Sequence, residues 1–242
     1  MQTTKKIEQV IKRFREGEVF TYDQLKLEPT EYRAAVKALG RMTQTGVVKR
    51  ASTGRYYKPV KSVFGELKPA EDQLLKPYLF NKGKRIAYVT GQALYNRMGL
   101  TTQVSKSIKV ASRDKRVITT IGSVAVKPVK SYVDVTVENY ELLEILDAIK
   151  DFKKIADIEA KAAISRLLQK MKQLSQKDRT RLINISLKYP PRVRALAGAL
   201  LEEINTDKEI LQPLLVSLNP LSKYNFGIKK EELRTIKKWN IT

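Results

Sequence analysis

The stretch Thr30-Glu-Tyr-Arg-Ala-Ala-Val-Lys-Ala-Leu-Gly-Arg-Met-Thr-Gln-Thr-Gly46, continued by Val47-Val-Lys-Arg-Ala-Ser-Thr-Gly-Arg-Tyr-Tyr-Lys-Pro59, decides the fold at the start of this chain. Tyr32, Ala35, Val36, Leu39 and Met42 recur at helical spacing, which predicts one apolar face seeking a core. Arg33, Lys37 and Arg41 fall at i, i+4 and i+8 and form a separate cationic stripe. Gly46 is placed to stop the helix. Val47-Val48 and Tyr56-Tyr57 then flank a polar turn at Ser52-Thr53-Gly54, the pattern of a two-stranded hairpin. A helix followed by a hairpin bearing Lys49, Arg50, Arg55 and Lys58 has the layout of a winged helix-turn-helix. Such a layout sets a helix in the major groove while cations beside it grip phosphates.

The preceding residues complete that layout. Ile7, Val10, Ile11 and Phe14 predict a first helix over about 4–15, ended by Gly17. Val19-Phe20 reads as a short extended piece, Thr21 as the cap of a brief second helix through Leu25, and Pro29 as the opening of the third. Within the third helix, base contacts are expected from its early exposed positions, so Thr30, Arg33, Ala34 and Lys37 rank above Arg41. Lys49, Arg50, Ser52, Thr53 and Arg55 are the expected wing contacts to phosphate or the minor groove. Of Tyr56 and Tyr57, at least one is expected in the core.

Charge supports this reading. The 242 residues carry 47 Lys and Arg against 25 Asp and Glu, a net +22. The excess is spread: 14 basic against 6 acidic residues over 1–62, 13 against 5 over 63–137, and 20 against 14 over 138–242. A uniformly basic folded chain attracts polyanions, nucleic acid before anionic membrane. Cysteine and histidine are both absent, which excludes disulfides, Cys/His zinc sites, thiol nucleophiles and imidazole bases. No apolar run reaches the roughly 18 residues that span a bilayer, the longest being Ala195 to Leu201, and Lys5-Lys6 leads into an amphipathic helix rather than a signal-peptide core. The expectation is a soluble cytoplasmic protein that does not bind membrane.

After Pro59, a connector over 60–69 with Gly65 and Pro69 is expected to mark a domain boundary. An apolar helix with Leu74, Leu75, Tyr78 and Leu79 follows. Strands are predicted at Arg85–Val89, Ile108–Ala111, Val117–Ile121 and Val124–Val129, with turns at Arg113-Asp114 and Gly122-Ser123, and a helix over Ala93, Leu94 and Met98. From Tyr140 the pattern is helical, with Asp178 expected to cap one helix and Pro190-Pro191 to separate two. A last helix over about 208–218 precedes an extended tail. The fold class is therefore α+β: a winged helix-turn-helix at 1–62, a mixed α/β domain at 63–137 and a helical C-terminal region at 138–242, the last two open to being one domain. Lys106, Lys109, Arg113, Lys115 and Arg116 form a second basic patch around the hairpin predicted there, which fits binding of DNA further along a site, RNA or an acidic partner, with a plain solvated face an equal alternative to binding.

Two catalytic signatures fail. Gly122-Ser123 with Asp134 ten residues on could open a nucleotidyltransferase site, but that chemistry needs a second carboxylate two residues later, where Thr136 stands. Gly83-Lys84 lacks both the first glycine and the hydroxyl of a phosphate loop, with Tyr78 and Arg85 in their places. The chain reads as a non-enzyme that needs no cofactor and no metal.

Several blocks resemble proteins of the AbiEi type. These are the wing from Gly46-Val-Val-Lys-Arg to Tyr56-Tyr57-Lys-Pro, the connector Phe64-Gly65-Glu66-Leu67, and Tyr88-Val89-Thr90-Gly91-Gln-Ala-Leu-Tyr95-Asn96 followed by Gly99-Leu100-Thr101-Thr102-Gln103. The tail is similar too, in Asn219-Pro220-Leu221-Ser222-Lys223-Tyr224, Gly227-Ile228 and Trp239-Asn240-Ile241. The resemblance covers most of the chain and is most specific from Thr90 to Gln103. It implies a winged-helix transcriptional repressor that is also the antitoxin of a type IV toxin–antitoxin operon. The implied partners are double-stranded DNA at the protein's own promoter, at inverted repeats, and a nucleotidyltransferase toxin whose direct contact with the antitoxin is left open. Two other readings stay open on the same residues: a stand-alone winged-helix transcription factor, and an RNA-binding protein using the second basic patch.

Overall fold

The computed structural model describes residues 2–62, 65–67, 69–121 and 124–242. The protein is α+β and forms two compact units, a first that runs to Lys84 and includes Thr120 and Ile121, and a second built from Arg85 to Thr119 and Val124 to Thr242. The boundary therefore falls some twenty residues beyond the expected 62. The expected connector is itself structured: β4 (Val60–Ser62) and β5 (Gly65–Leu67) pair antiparallel, and α3 (Glu71–Leu79) follows within the first unit. Phe64, part of that connector, lies outside the described residues.

In the first unit, α1 (Gln2–Arg13) leads to β1 (Val19–Thr21), 3-10 turns at Tyr22–Leu25 and Pro29–Glu31, α2 (Tyr32–Gln44), β2 (Lys49–Ser52) and β3 (Arg55–Tyr57). The backbone amide of Thr21 donates to Gln24 Oε1 at 3.0 Å, fixing the entry to the first of those turns. The sheet order is β1-β3-β2, antiparallel throughout, with a bulge between Arg50 and Ser52. Ile7, Ile11, Phe20, Leu25, Ala35, Ala38, Leu39, Met42, Val48 and Tyr56 form its core, and Phe14 stacks on Phe20 at 4.7 Å. Both Tyr56 and Tyr57 are buried. Gly46, at φ +75°, adopts the left-handed conformation that ends α2. Two expected core residues are outside: Tyr32 is 40% and Val36 54% exposed. The small Ala35 and Ala38 occupy the inner face instead, so α2 is anchored by Leu39 and Met42 and turns a second stripe outward.

The two-residue strands β6 (Phe80–Asn81) and β7 (Lys84–Arg85) flank a turn at Lys82-Gly83, both with positive φ. In the second unit, β8 (Ala87–Thr90), α4 (Gln92–Arg97), β9 (Ser107–Ser112), β10 (Thr119–Ile121, shared in part with the first unit) and β11 (Val124–Lys130) follow. β9 runs antiparallel to β8 and parallel to β11. β9 is flanked by β8 and β11, so it does not pair with β10 and the expected hairpin around Arg113-Asp114 is not formed. The Gly122-Ser123 turn lies outside the described residues.

Five helices complete this unit: α5 (Tyr140–Lys150), α6 (Ala160–Lys172), α7 (Gln176–Ser186), α8 (Pro191–Glu203) and α9 (Lys208–Val216). Its core runs continuously from Tyr88 to Ile241, so 85–137 and 138–242 share one interior rather than two. α8 is buried at Val193 and at every residue from Ala195 to Leu201, the signature of a helix surrounded by others. Ser175, not Asp178, caps α7: its hydroxyl oxygen accepts from the Asp178 amide at 3.1 Å and donates to the Asp178 carboxylate at 2.6 Å. The expected extended tail is packed. Phe226, Ile228, Leu233, Trp239 and Ile241 are buried, and a Cβ at Gly198 would lie 2.1 Å from the Trp239 ring, so only glycine admits the indole there.

The resemblance motif builds the interior of this unit. Asp147 on α5, 1% exposed, accepts from Tyr88 at 2.9 Å, Thr90 at 2.6 Å, Tyr189 at 3.3 Å and Lys150 at 2.7 Å. Tyr95 donates to Asp151 at 2.7 Å. Asn96 donates to the carbonyls of Thr101 and Gln103, and Gln103 to Asp157 at 2.7 Å.

Candidate nucleic-acid interface

The outward face of α2 carries Arg33, Val36, Lys37, Gly40, Arg41 and Gln44, spaced by three and four residues on one side of the helix. All six are exposed. Thr30 and Ala34 are exposed beside them, Thr30 on the 3-10 turn that opens the helix. Arg33 and Lys37 make no ion pair among the described residues, and Arg41 reaches only Thr4 Oγ1 at 3.5 Å. Glu31, the acid at the start of this face, is paired with Lys6 at 2.7 Å and accepts the Glu28 amide at 2.9 Å. Lys37, Gly40, Arg41 and Gln44 line an open depression of about 440 Å³.

The wing is more occupied than its sequence implies. Lys49 is ion-paired with Glu66 on β5, which raises the lysine's pKa through the hydrogen bond and then through charge. The Arg55 guanidinium lies 4.0 Å over the Tyr78 ring on α3 and donates to the Thr53 carbonyl at 3.2 Å. Ser52 Oγ is 3.5 Å from the Tyr78 hydroxyl. Arg50 and Thr53 remain exposed, Arg50 donating weakly to the Ser52 carbonyl at 3.4 Å. Behind them, Tyr22 and Tyr56 share a hydrogen bond of 3.2 Å; burial and this bond push the Tyr22 phenol up to about 12, against the opposing charge of Arg50. So Thr30, Arg33, Ala34, Lys37, Arg41, Arg50 and Thr53 are exposed, while Lys49, Ser52 and Arg55 are engaged by β5 and α3. The sequence pattern places Val36 in the core and Tyr78 on an apolar helix and does not single out Gly40, although a glycine in mid-helix is readable.

The second basic patch divides. Arg113, Lys115 and Arg116 line a groove of about 370 Å³ with Lys130, which the sequence did not single out. Arg113 is held there by the carbonyls of Ser131 and Tyr132, at 3.3 and 3.1 Å. Lys106 and Lys109 are exposed but outside that groove, Lys109 with its stem against Gly91. Among the described residues no acidic cluster could hold a metal ion, and no helix is long and apolar enough to cross a membrane.

Residues 6–177, well over half of the chain, match the family described as "Family of unknown function (DUF6088)". The chain belongs to this family. As a DUF6088 protein it also has a solved structural neighbour, the RV2827C protein from Mycobacterium tuberculosis, at a TM-score of 0.53 and 11% identity over 93% of this chain and 85% of that one. The likeness is one of fold. No curated protein matches the sequence of this DUF6088 chain.

Proposed function

We propose that this protein binds double-stranded DNA through α2 and the wing and represses transcription of its own operon. The observation that carries the proposal is the outward stripe of Arg33, Lys37 and Arg41 on a helix whose opposite face is anchored in the core. A cationic face that makes no ion pair among the described residues has its charge available for phosphates, and the helix is rigid enough to hold register in a groove. The protein acts by binding, without catalysis or cofactor. The AbiEi resemblance extends the proposal to the second unit, which would oppose a nucleotidyltransferase toxin encoded beside it.

The test is binding of a labelled duplex from the region upstream of the gene. With Lys49 and Arg55 engaged elsewhere, about four cations (Arg33, Lys37, Arg41 and Arg50) remain, and a log–log salt slope of roughly −3.6 is expected if all four meet phosphates. A slope near zero removes the DNA-binding reading. Co-expression with the adjacent reading frame tests the antitoxin half: rescue of growth by the full chain is expected, and unrelieved toxicity sinks it.

A further inference from the structure

Gly40 has no structural reason to be glycine. It lies inside α2 with no positive φ, and a Cβ built on it meets nothing within 4 Å. Glycine is the poorest helix former after proline, because it loses the most backbone freedom. A residue that weakens its helix, and at which a side chain would meet nothing among the described residues, leaves room for something outside the molecule. What flanks it is informative. Lys37, Arg41 and Gln44 border the depression it leaves, and Val36, one turn earlier on the same face, is 54% exposed. The cations repel a second copy of the same face and attract phosphate. Along the major groove the C5-methyl of thymine is the one alkyl group the base edges offer, an apolar partner that a branched aliphatic side chain can cover.

We propose that Gly40 is the point of closest approach of α2 to DNA, and that Val36 beside it reads a thymine methyl group. This rests on the DNA-binding reading above and adds to it the residues that set sequence preference. The stripe of Arg33, Lys37 and Arg41, running along one side of Gly40, holds the helix down by phosphate or base-edge contacts, while the missing side chain at position 40 lets the backbone sit deep enough for Val36, on its other side, to touch the base. Gln44, at the far end of the depression, is placed to follow the groove toward the next base.

The test begins by enriching a random duplex library of about 20 base pairs, two helical turns, on the full-length protein. The enriched duplex is the probe and a scrambled duplex of equal composition the reference. Gly40→Ala is expected to raise the thermal midpoint by about 4 °C. It is expected at the same time to weaken the enriched duplex roughly tenfold, a loss on the order of one base contact, and to leave the scrambled duplex nearly unchanged. Gly40→Leu should weaken the enriched duplex further. Replacing each thymine by deoxyuridine should expose one position where affinity falls severalfold, and Val36→Ala should abolish that sensitivity. A more stable Gly40→Ala protein that binds the enriched duplex as well as the parent overturns the closest-approach assignment and leaves DNA binding intact. A deoxyuridine series without any sensitive position overturns the role of Val36. Failure of any duplex to enrich over the scrambled reference overturns the DNA-binding reading itself.

Discussion

Asp147 is a charge buried in the core and met by donors on both oxygens. Its two carboxylate oxygens accept from Tyr88, Thr90, Tyr189 and Lys150, and it is closed from solvent. Burying a carboxylate is costly unless every lone pair is met, and here four donors from β8, α5 and the segment before α8 meet it. Lys150 shows the balance: burial is the largest single influence and pulls its pKa down, but the charge and hydrogen bond of Asp147, with Asp151 and Tyr132, together turn the net shift upward. Asp147→Asn brings an amide N–H against a set of donors and removes the charge opposite Lys150. A loss of about 3 kcal/mol in unfolding free energy is expected, the low end for breaking such a pair because Lys150 retains some solvent. Denaturant unfolding with unchanged slope would report it, and a loss within experimental error would mean that water or Asp151 compensates.

The association of α3 with the wing shows what periodicity can and cannot reveal. Local patterns marked α1, α2, the two wing strands and the Gly46 stop within a few residues, because each rests on spacing along the chain. Contacts between distant segments leave no such trace. Nothing in Ser52-Thr53-Gly54-Arg55 announces Tyr78, and nothing in Lys49 announces Glu66, so three wing residues read as phosphate contacts prove to be held by neighbours. Val36 and Tyr32 were assigned to the core since apolar residues at helical spacing usually belong there, yet two alanines fill that face. For the tail, the packing of Trp239 depends on Gly198, forty-one residues earlier. The stack between Arg55 and Tyr78 also makes a prediction. Tyr78→Ala should destabilise the first unit by about 1–2 kcal/mol, the range of a partly desolvated cation–π contact. Amide hydrogen exchange at 52–57 should accelerate in that variant, whereas Tyr78→Phe, which keeps the ring, should hold most of the protection.

Across the molecule, tyrosine sets the alkaline limit of stability. Burial raises the phenols of Tyr88, Tyr95 and Tyr189, with the carboxylates of Asp147 and Asp151 adding to it, and Tyr22 is pushed up to about 12 in the first unit. A phenol whose folded pKa exceeds its unfolded value of about 10 stabilises the fold fully below that pH. The contribution is lost as pH climbs from there toward the folded value, since the unfolded chain gives up its proton first. Both units should therefore be insensitive to pH near neutrality and unfold cooperatively above about pH 10. Of the eleven tyrosines, Tyr22, Tyr88, Tyr95 and Tyr189 should ionise only with loss of ellipticity, as read by tyrosinate absorbance. Smooth titration of all eleven without unfolding would contradict these burial assignments.

The seat of Trp239 on Gly198 has an optical consequence. It is the single tryptophan of the chain, fully shielded, with its indole N–H donating to Glu202 at 2.7 Å. Its fluorescence should be blue-shifted in the native state and move to longer wavelength when α8 and the C-terminal segment separate. The first unit contains no indole, so a melt followed by emission reports on the second unit alone, while far-ultraviolet ellipticity reports on both. Where the two curves part, the difference is the unfolding of the first unit, obtained without a label and without altering a residue.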